Sequence, residues 1–263
     1  MPMRILLINP NTTVSMTRKI EAAAKAAAFP GTEVSAVNPG FGPPSIEGYF
    51  DEAFSVPGLI DEISKAPDFD AYIIACFDDT GLDAARCVAD APVIGIGEAG
   101  FHIACLVAGR FGVVTTLSRS VPAIEHNLVR YGMSARCTGV RASDVPVLDL
   151  ELPGSGARHR ISDEIRLAIT QDRAEAIVLG CAGMAELASN LSEEHGVPVI
   201  DGVSGAVKLA EGVAGLGLRT SRRGGYAVPR SKRFSGLFAR FSPGEVGIAV
   251  TGIETAPVNS SDT

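Results

Sequence analysis

Asp70-Ala71-Tyr72-Ile73-Ile74-Ala75-Cys76 and Glu175-Ala176-Ile177-Val178-Leu179-Gly180-Cys181 decide the fold. Each begins with an acidic residue, continues as an unbroken apolar run and ends in cysteine. Parallel strands buried on both faces read this way, because neither face alternates with solvent. Around them, apolar β-branched runs alternate with Ala-rich helical stretches: Arg4 to Ile8 then Val14 to Ala28, Glu33 to Val37, Leu82 to Ala89, Val93 to Ile96. This βαβ rhythm predicts a doubly wound α/β fold.

The two stretches also belong to a repeat with an offset of 105 residues. Downstream, Ala91-Pro92-Val93-Ile94-Gly95 answers Val197-Pro198-Val199-Ile200-Asp201-Gly202 with one residue inserted. Upstream, Ile8-Asn9-Pro10-Asn11 lies over Val113-Val114-Thr115-Thr116. Chance similarity of βα units is the competing explanation, but three matching segments in one order favour duplication. The expected architecture is two similar parallel-sheet domains related by a pseudo-twofold axis. Residues 1–97 with 206–263 would form the first and residues 98–205 the second, with the helix around Gly205 to Val213 returning to the first.

Composition narrows the function. The 263 residues are 46% apolar and 20% charged, with a net charge of −7, 6% aromatics and no tryptophan. An acidic chain poor in aromatics offers nucleic acid neither phosphate neutralisation nor stacking. The one basic cluster, Arg222, Arg223, Arg230, Lys232 and Arg233, reads as a solvated loop. No apolar run is long enough to cross a membrane, and Ile5 to Ile8 is too short for a signal peptide. The five cysteines lack CxxC spacing, which favours reduced thiols in the cytoplasm. The four scattered histidines argue against a metal site.

Ligands of parallel sheets bind beyond the carboxyl ends of strands, where the repeat places Asn11, Cys76, Thr116 and Cys181. A thiol before a helix N-terminus is expected to have a lowered pKa and act as a base. Buried filler is the alternative reading of any one cysteine, and it is applied to Cys87, Cys105 and Cys137. Two thiols at equivalent repeat positions suit inversion of a stereocentre, which needs a base on one face of a carbon acid and an acid on the other. A cysteine hydrolase would require a histidine partner brought from a distance. A binding protein using the same cleft without turnover would need no thiolates.

Gly95-Ile96-Gly97-Glu98-Ala99-Gly100 matches G-x-G-x-x-G, but it follows a late strand and carries Glu98 where a pyrophosphate would lie. A tight turn between domains is expected instead. There is no P-loop and no lysine in a pyridoxal phosphate context, so no cofactor is expected.

Ile8-Asn9-Pro10-Asn11-Thr12, Ser45-Ile46-Glu47-Gly48, Ala75-Cys76-Phe77-Asp78-Asp79-Thr80-Gly81-Leu82, Val113-Val114-Thr115-Thr116 and Leu179-Gly180-Cys181-Ala182-Gly183-Met184 resemble the hydantoin and allantoin racemase branch of the aspartate/glutamate racemase superfamily. The resemblance spans residues 4 to about 240. It implies a cofactor-independent racemase with two catalytic cysteines, Cys76 and Cys181, in a homo-oligomer. Phe77-Asp78 and Ala182-Gly183 depart from the amino-acid racemases, which makes a free amino acid less suitable. Two retained cysteines disfavour arylmalonate decarboxylation, and maleate isomerisation remains an alternative. For a 5-substituted hydantoin or allantoin, backbone N–H groups near Thr80, Gly81 and Gly183 would meet the enolate at O4. Asn11, Thr115 and Thr116 would bond the ring amides, and Phe41 would shape the pocket for the C5 substituent. Turn chemistry, or core packing for Phe41, competes with each of these roles. Asp78 and Asp79 are expected to cap the helix that follows them.

Overall fold

The structure is a computed structural model that describes residues 2–152 and 154–244. It contains two four-stranded, wholly parallel sheets. In the first, β1 (Met3–Ile8), β2 (Thr32–Val37), β3 (Ala71–Ile74) and β4 (Val93–Gly95) are ordered β2-β1-β3-β4. In the second, β5 (Phe111–Thr115), β6 (Cys137–Ala142), β7 (Ala176–Gly180) and β8 (Val199–Asp201) are ordered β6-β5-β7-β8. The two orders are the same permutation, as duplication requires. All residues of β3, β5 and β7 are buried, which explains their continuous apolar runs.

Helices α1 (Val14–Ala27), α2 (Tyr49–Lys65) and α3 (Leu82–Val88) accompany the first sheet, and α5 (Val121–Arg130), α6 (Ala157–Thr170) and α7 (Ala188–His195) the second. Helix α1 places Met16, Ile20 and Ala24 four apart and buries that stripe in the core. Helix α4 (Ile96–Val107) leaves the end of β4 and packs on β7, whereas α8 (Gly202–Gly215) leaves β8 and lies against α1 and β3. Asp201 caps α8 by accepting the Ser204 N–H at 2.8 Å. Where the two crossing helices start, a Cβ on Gly202 would lie 2.3 Å from the Ile96 carbonyl oxygen, so only glycine allows the approach. Phe101 on α4 meets Phe77 edge-on at 5.4 Å between centroids and stacks on Phe111 at 5.9 Å, making one core between the sheets.

Two local expectations are corrected. Gly95 to Gly100 is the junction of β4 with α4, not a turn between domains. Asp79 occupies it: Gly97 N–H donates to Oδ1 at 2.9 Å, and Glu98 N–H and the Tyr131 hydroxyl each donate to Oδ2 at 2.8 Å. The carboxyl thus caps α4, while the helix following it in sequence begins after left-handed Gly81 with no side-chain cap. A Cβ on Gly95 would sit 2.1 Å from Asp79 Oδ1, and one on Gly97 would sit 2.3 Å from the Phe77 carbonyl. The glycines therefore make room for an internal carboxyl rather than for a pyrophosphate. In the basic stretch Arg223, Arg230, Lys232 and Arg233 are exposed, as expected of a solvated loop, and Arg222 is the exception. The Arg222 guanidinium pairs with Asp90 at 2.5 Å and donates to the carbonyls of Arg86 and Cys87.

Removing the Asp79 carboxyl leaves two helix N–H groups and a buried hydroxyl without their acceptor. Asp79→Ala is expected to cost about 3 kcal/mol. For a chain of this size that lowers Tm by about 6 to 12 °C, measurable by calorimetry.

Candidate active site

The carboxyl ends of β1, β3, β5 and β7 converge on a cavity lined by Asn9, Asn11, Cys76, Asp78, Thr115, Thr116 and Cys181, with Met16, Ile46, Phe77, Ser120 and Val147 among the other wall residues. Both sheets contribute, β1 and β3 from the first and β5 and β7 from the second. Cys76 and Cys181 are half-buried and both are free thiols. The loop after Cys76 is held from the other half of the fold, since Asn127 on α5 donates its amide to the Asp78 carbonyl at 2.8 Å. Across the cavity, Glu47 Oε1 accepts the Val147 N–H at 3.1 Å and ties the wall at Ile46 to the wall at Val147.

The thiols are alike in their local chemistry. Cys76 receives the backbone N–H of Asp78, and Cys181 receives that of Gly183, each two residues further along. Cys76 has an additional contact, its Sγ lying 3.4 Å from Thr80 Oγ1. These donors favour thiolate, but burial dominates. Burial pushes the Cys76 thiol well up, with the neighbouring Asp78 carboxyl adding to the shift. Burial likewise pushes Cys181 up to about 11. The expected net lowering of the thiol pKa values is overturned, because burial outweighs the donors at each sulfur.

Other residues named from the sequence divide by position. Asn11 Oδ1 accepts from Asn9 Nδ2 and from the Thr13 N–H, both at 2.9 Å, leaving its amide nitrogen 3.3 Å from the Met16 sulfur, a weak acceptor. The Thr115 hydroxyl donates to the Gly180 carbonyl at 3.0 Å, so towards the cavity it can only accept. Thr80, Gly81, Gly183 and Phe41 are not among the cavity-lining residues. Thr80 and Gly183 stand behind the sulfurs, Gly81 packs against Leu59 and Val56, and exposed Phe41 lies 4.6 Å below the Arg240 guanidinium. The sequence reading missed Asn9, Met16, Ser120, Val147 and the cavity role of Asp78. Ile46 was visible within a quoted motif, whereas Ser120 and Val147 carry no local signal.

Twin parallel sheets that bring one thiol each to a shared cavity define a racemase of the two-domain α/β class. The model of the Asp/Glu/Hydantoin racemase family matches residues 5–210. The chain is 51% identical over 236 residues to a hydantoin racemase of Rhizobium meliloti, covering 89% of this chain and 98% of that protein. It is 46% identical over 241 residues to a hydantoin racemase of Pseudomonas sp. (strain NS671), covering 91% and 97%. The solved allantoin racemase from Klebsiella pneumoniae superposes with a TM-score of 0.88 at 47% identity, covering 92% of this chain and 99% of that one. The chain belongs to the Asp/Glu/hydantoin racemase family and is an isomerase, a racemase.

The Thr80 hydroxyl stabilises the Cys76 thiolate alone. Thr80→Val is therefore expected to slow iodoacetamide alkylation of Cys76 by roughly threefold or more at about pH 8, leaving Cys181 unchanged. Peptide mass spectrometry distinguishes the two sites.

Proposed function

We propose that the protein racemises 5-substituted hydantoins by a two-base mechanism, with Cys76 and Cys181 on opposite faces of the ring. One observation carries the reading: two free thiols from equivalent strand ends line a single cavity. The thiolate on one face takes the C5 proton and the electron pair moves onto the ring carbonyl at C4. The thiol on the other face then returns a proton to C5, and the roles exchange for the opposite enantiomer.

The remaining side chains suit an uncharged ring of alternating amides. A ring carbonyl would replace the Met16 sulfur as acceptor for Asn11, and a ring N–H would find the free lone pairs of Thr115, with Thr116 beside it. Thr80, Gly81 and Gly183 are assigned to the enolate side through the loops that also hold the sulfurs. Phe41 remains a proposed contact for a long C5 substituent. The cavity is about 40 Å³, against ~150 Å³ for an engineered apolar cavity that admits benzene. Entry of a substituted ring therefore requires the cavity to widen.

Allantoin is the alternative substrate, supported by the likeness to the allantoin racemase from Klebsiella pneumoniae. Division into residues 1–97 with 206–263 and residues 98–205 belongs to the same reading, supported by the opposite crossings of α4 and α8. Residues 245–263 of that first unit lie outside the described residues. We also propose a homo-oligomer in the cytoplasm, the latter supported by five free thiols.

Raised thiol pKa values give the pH dependence its sign. The thiolate fraction grows with pH, so kcat should climb from about pH 7 to about pH 9, approaching tenfold per unit. Each single variant, Cys76→Ser or Cys181→Ser, should lose racemisation yet exchange the C5 hydrogen of one enantiomer with deuterium, the two variants preferring opposite hands. NMR on optically pure substrate, corrected for uncatalysed exchange, reads both. Equal preference in the two variants would defeat the two-base assignment.

A further inference from the structure

The repeat that makes the thiols equivalent fails two residues beyond each of them. Asp78 and Gly183 both give a backbone N–H to the preceding sulfur, but only Asp78 adds a side chain to the cavity wall. That carboxyl makes no hydrogen bond to a described residue, and among the described residues no lysine or arginine lines the cavity. A second carboxyl stands close by. Glu52, in the first turn of α2, has Oε1 buried without a hydrogen-bond partner.

The groups that face Asp78 are Glu52 from α2, its chain neighbour Asp79, and the thiols Cys76 and Cys181. None of them is cationic. Asn127 from α5 reaches only its backbone carbonyl. Burial, and then repulsion from Glu52 and Asp79, pushes Asp78 up to about 8, and burial raises Glu52 as well. A carboxyl kept neutral carries an O–H donor beside a carbonyl acceptor. A cis-amide presents the complementary pair, a carbonyl beside an N–H, and a ring closed through amides must expose such an edge.

We propose that the carboxylic acid of Asp78 reads a cis-amide edge of a cyclic ureide through two antiparallel hydrogen bonds, and so fixes which face of C5 meets each thiol. The inference rests on the substrate class proposed above and deepens it. Asp78 breaks the symmetry of the site: the paired thiols treat both hands alike, while one carboxyl on one wall orients the ring. It also sets specificity. A free amino acid has no cis-amide edge and would bring its own carboxylate to an acidic wall without a counter-cation.

Steady-state racemisation of an optically pure 5-alkylhydantoin by wild type, Asp78→Asn, Asp78→Ala and Glu52→Gln, followed by polarimetry from about pH 6.5 to about pH 10, tests this. A carboxamide offers the same donor and acceptor edge, so Asp78→Asn should hold KM within about threefold of wild type, whereas Asp78→Ala should raise it tenfold or more. Wild-type KM should rise above about pH 8, as Asp78 loses its donated proton. That rise should vanish in Asp78→Asn. It should move to lower pH in Glu52→Gln, where one source of repulsion is gone.

Equal KM values for the Asn and Ala variants, or a wild-type KM flat across the range, would overturn the role of Asp78 while leaving the racemase reading intact. If Asp78→Ala does not fold, the profiles of wild type and Asp78→Asn decide alone. A wild type that neither racemises a hydantoin nor has its thiols shielded by one from alkylation would remove the substrate class, and this role with it.

Discussion

The buried carboxyl of Asp79 ties together the parts on which the site depends. It receives two N–H groups from the start of α4 and a hydroxyl from Tyr131, just after α5. The loop that follows Cys76 is thereby fixed to the helix that crosses to the second sheet and to a residue beyond it. Burial drives the pKa of this carboxyl up to about 7 in spite of its three donors, a measure of how completely water is excluded. Two glycines give up their side chains to admit it. A loop with so many constraints can hold a sulfur in one place, which proton transfer to and from a single carbon requires.

Holding the sulfurs away from water has a cost in reactivity. Both thiols are harder to ionise than in solution, and the N–H groups and the Thr80 hydroxyl recover only part of the difference. A racemase tolerates this better than a hydrolase. Under the two-base mechanism proposed above, each turnover uses one thiolate and one thiol, so burial makes the thiolate scarce while it keeps the partner sulfur protonated as the acid. In that mechanism the weakly acidic C5 hydrogen would be removed by a base whose strength rises with the same burial.

Duplication explains the sheets and the thiols, and its failures explain the rest. Asp79, opposite Met184 in the repeat, caps a helix across the fold, while the second half caps α8 locally through Asp201. Asp78 stands opposite Gly183, and the two walls of the cavity differ for that reason. At these two positions the halves have diverged.

Much of this was legible in the chain. Unbroken apolar runs ending in cysteine, set in a βαβ rhythm, marked parallel strands buried on both faces, and the offset between them marked two equivalent sheets. The placing of Cys76, Cys181, Asn11 and Thr116 at neighbouring strand ends followed from the repeat and strand direction. What Asp79 and Asp78 do did not follow. Capping is read from sequence as a local act, and Asp79 instead caps a helix that begins seventeen residues later. The pKa of the thiols was also decided in three dimensions, since helix polarity is written in the neighbouring residues but the loss of water around a sulfur is produced by both sheets closing on it. Ser120 and Val147 reach the cavity from segments with no chemistry of their own. Strand direction and periodicity are properties of the chain, whereas solvent exclusion and the partners of a buried carboxyl exist only once distant segments have met.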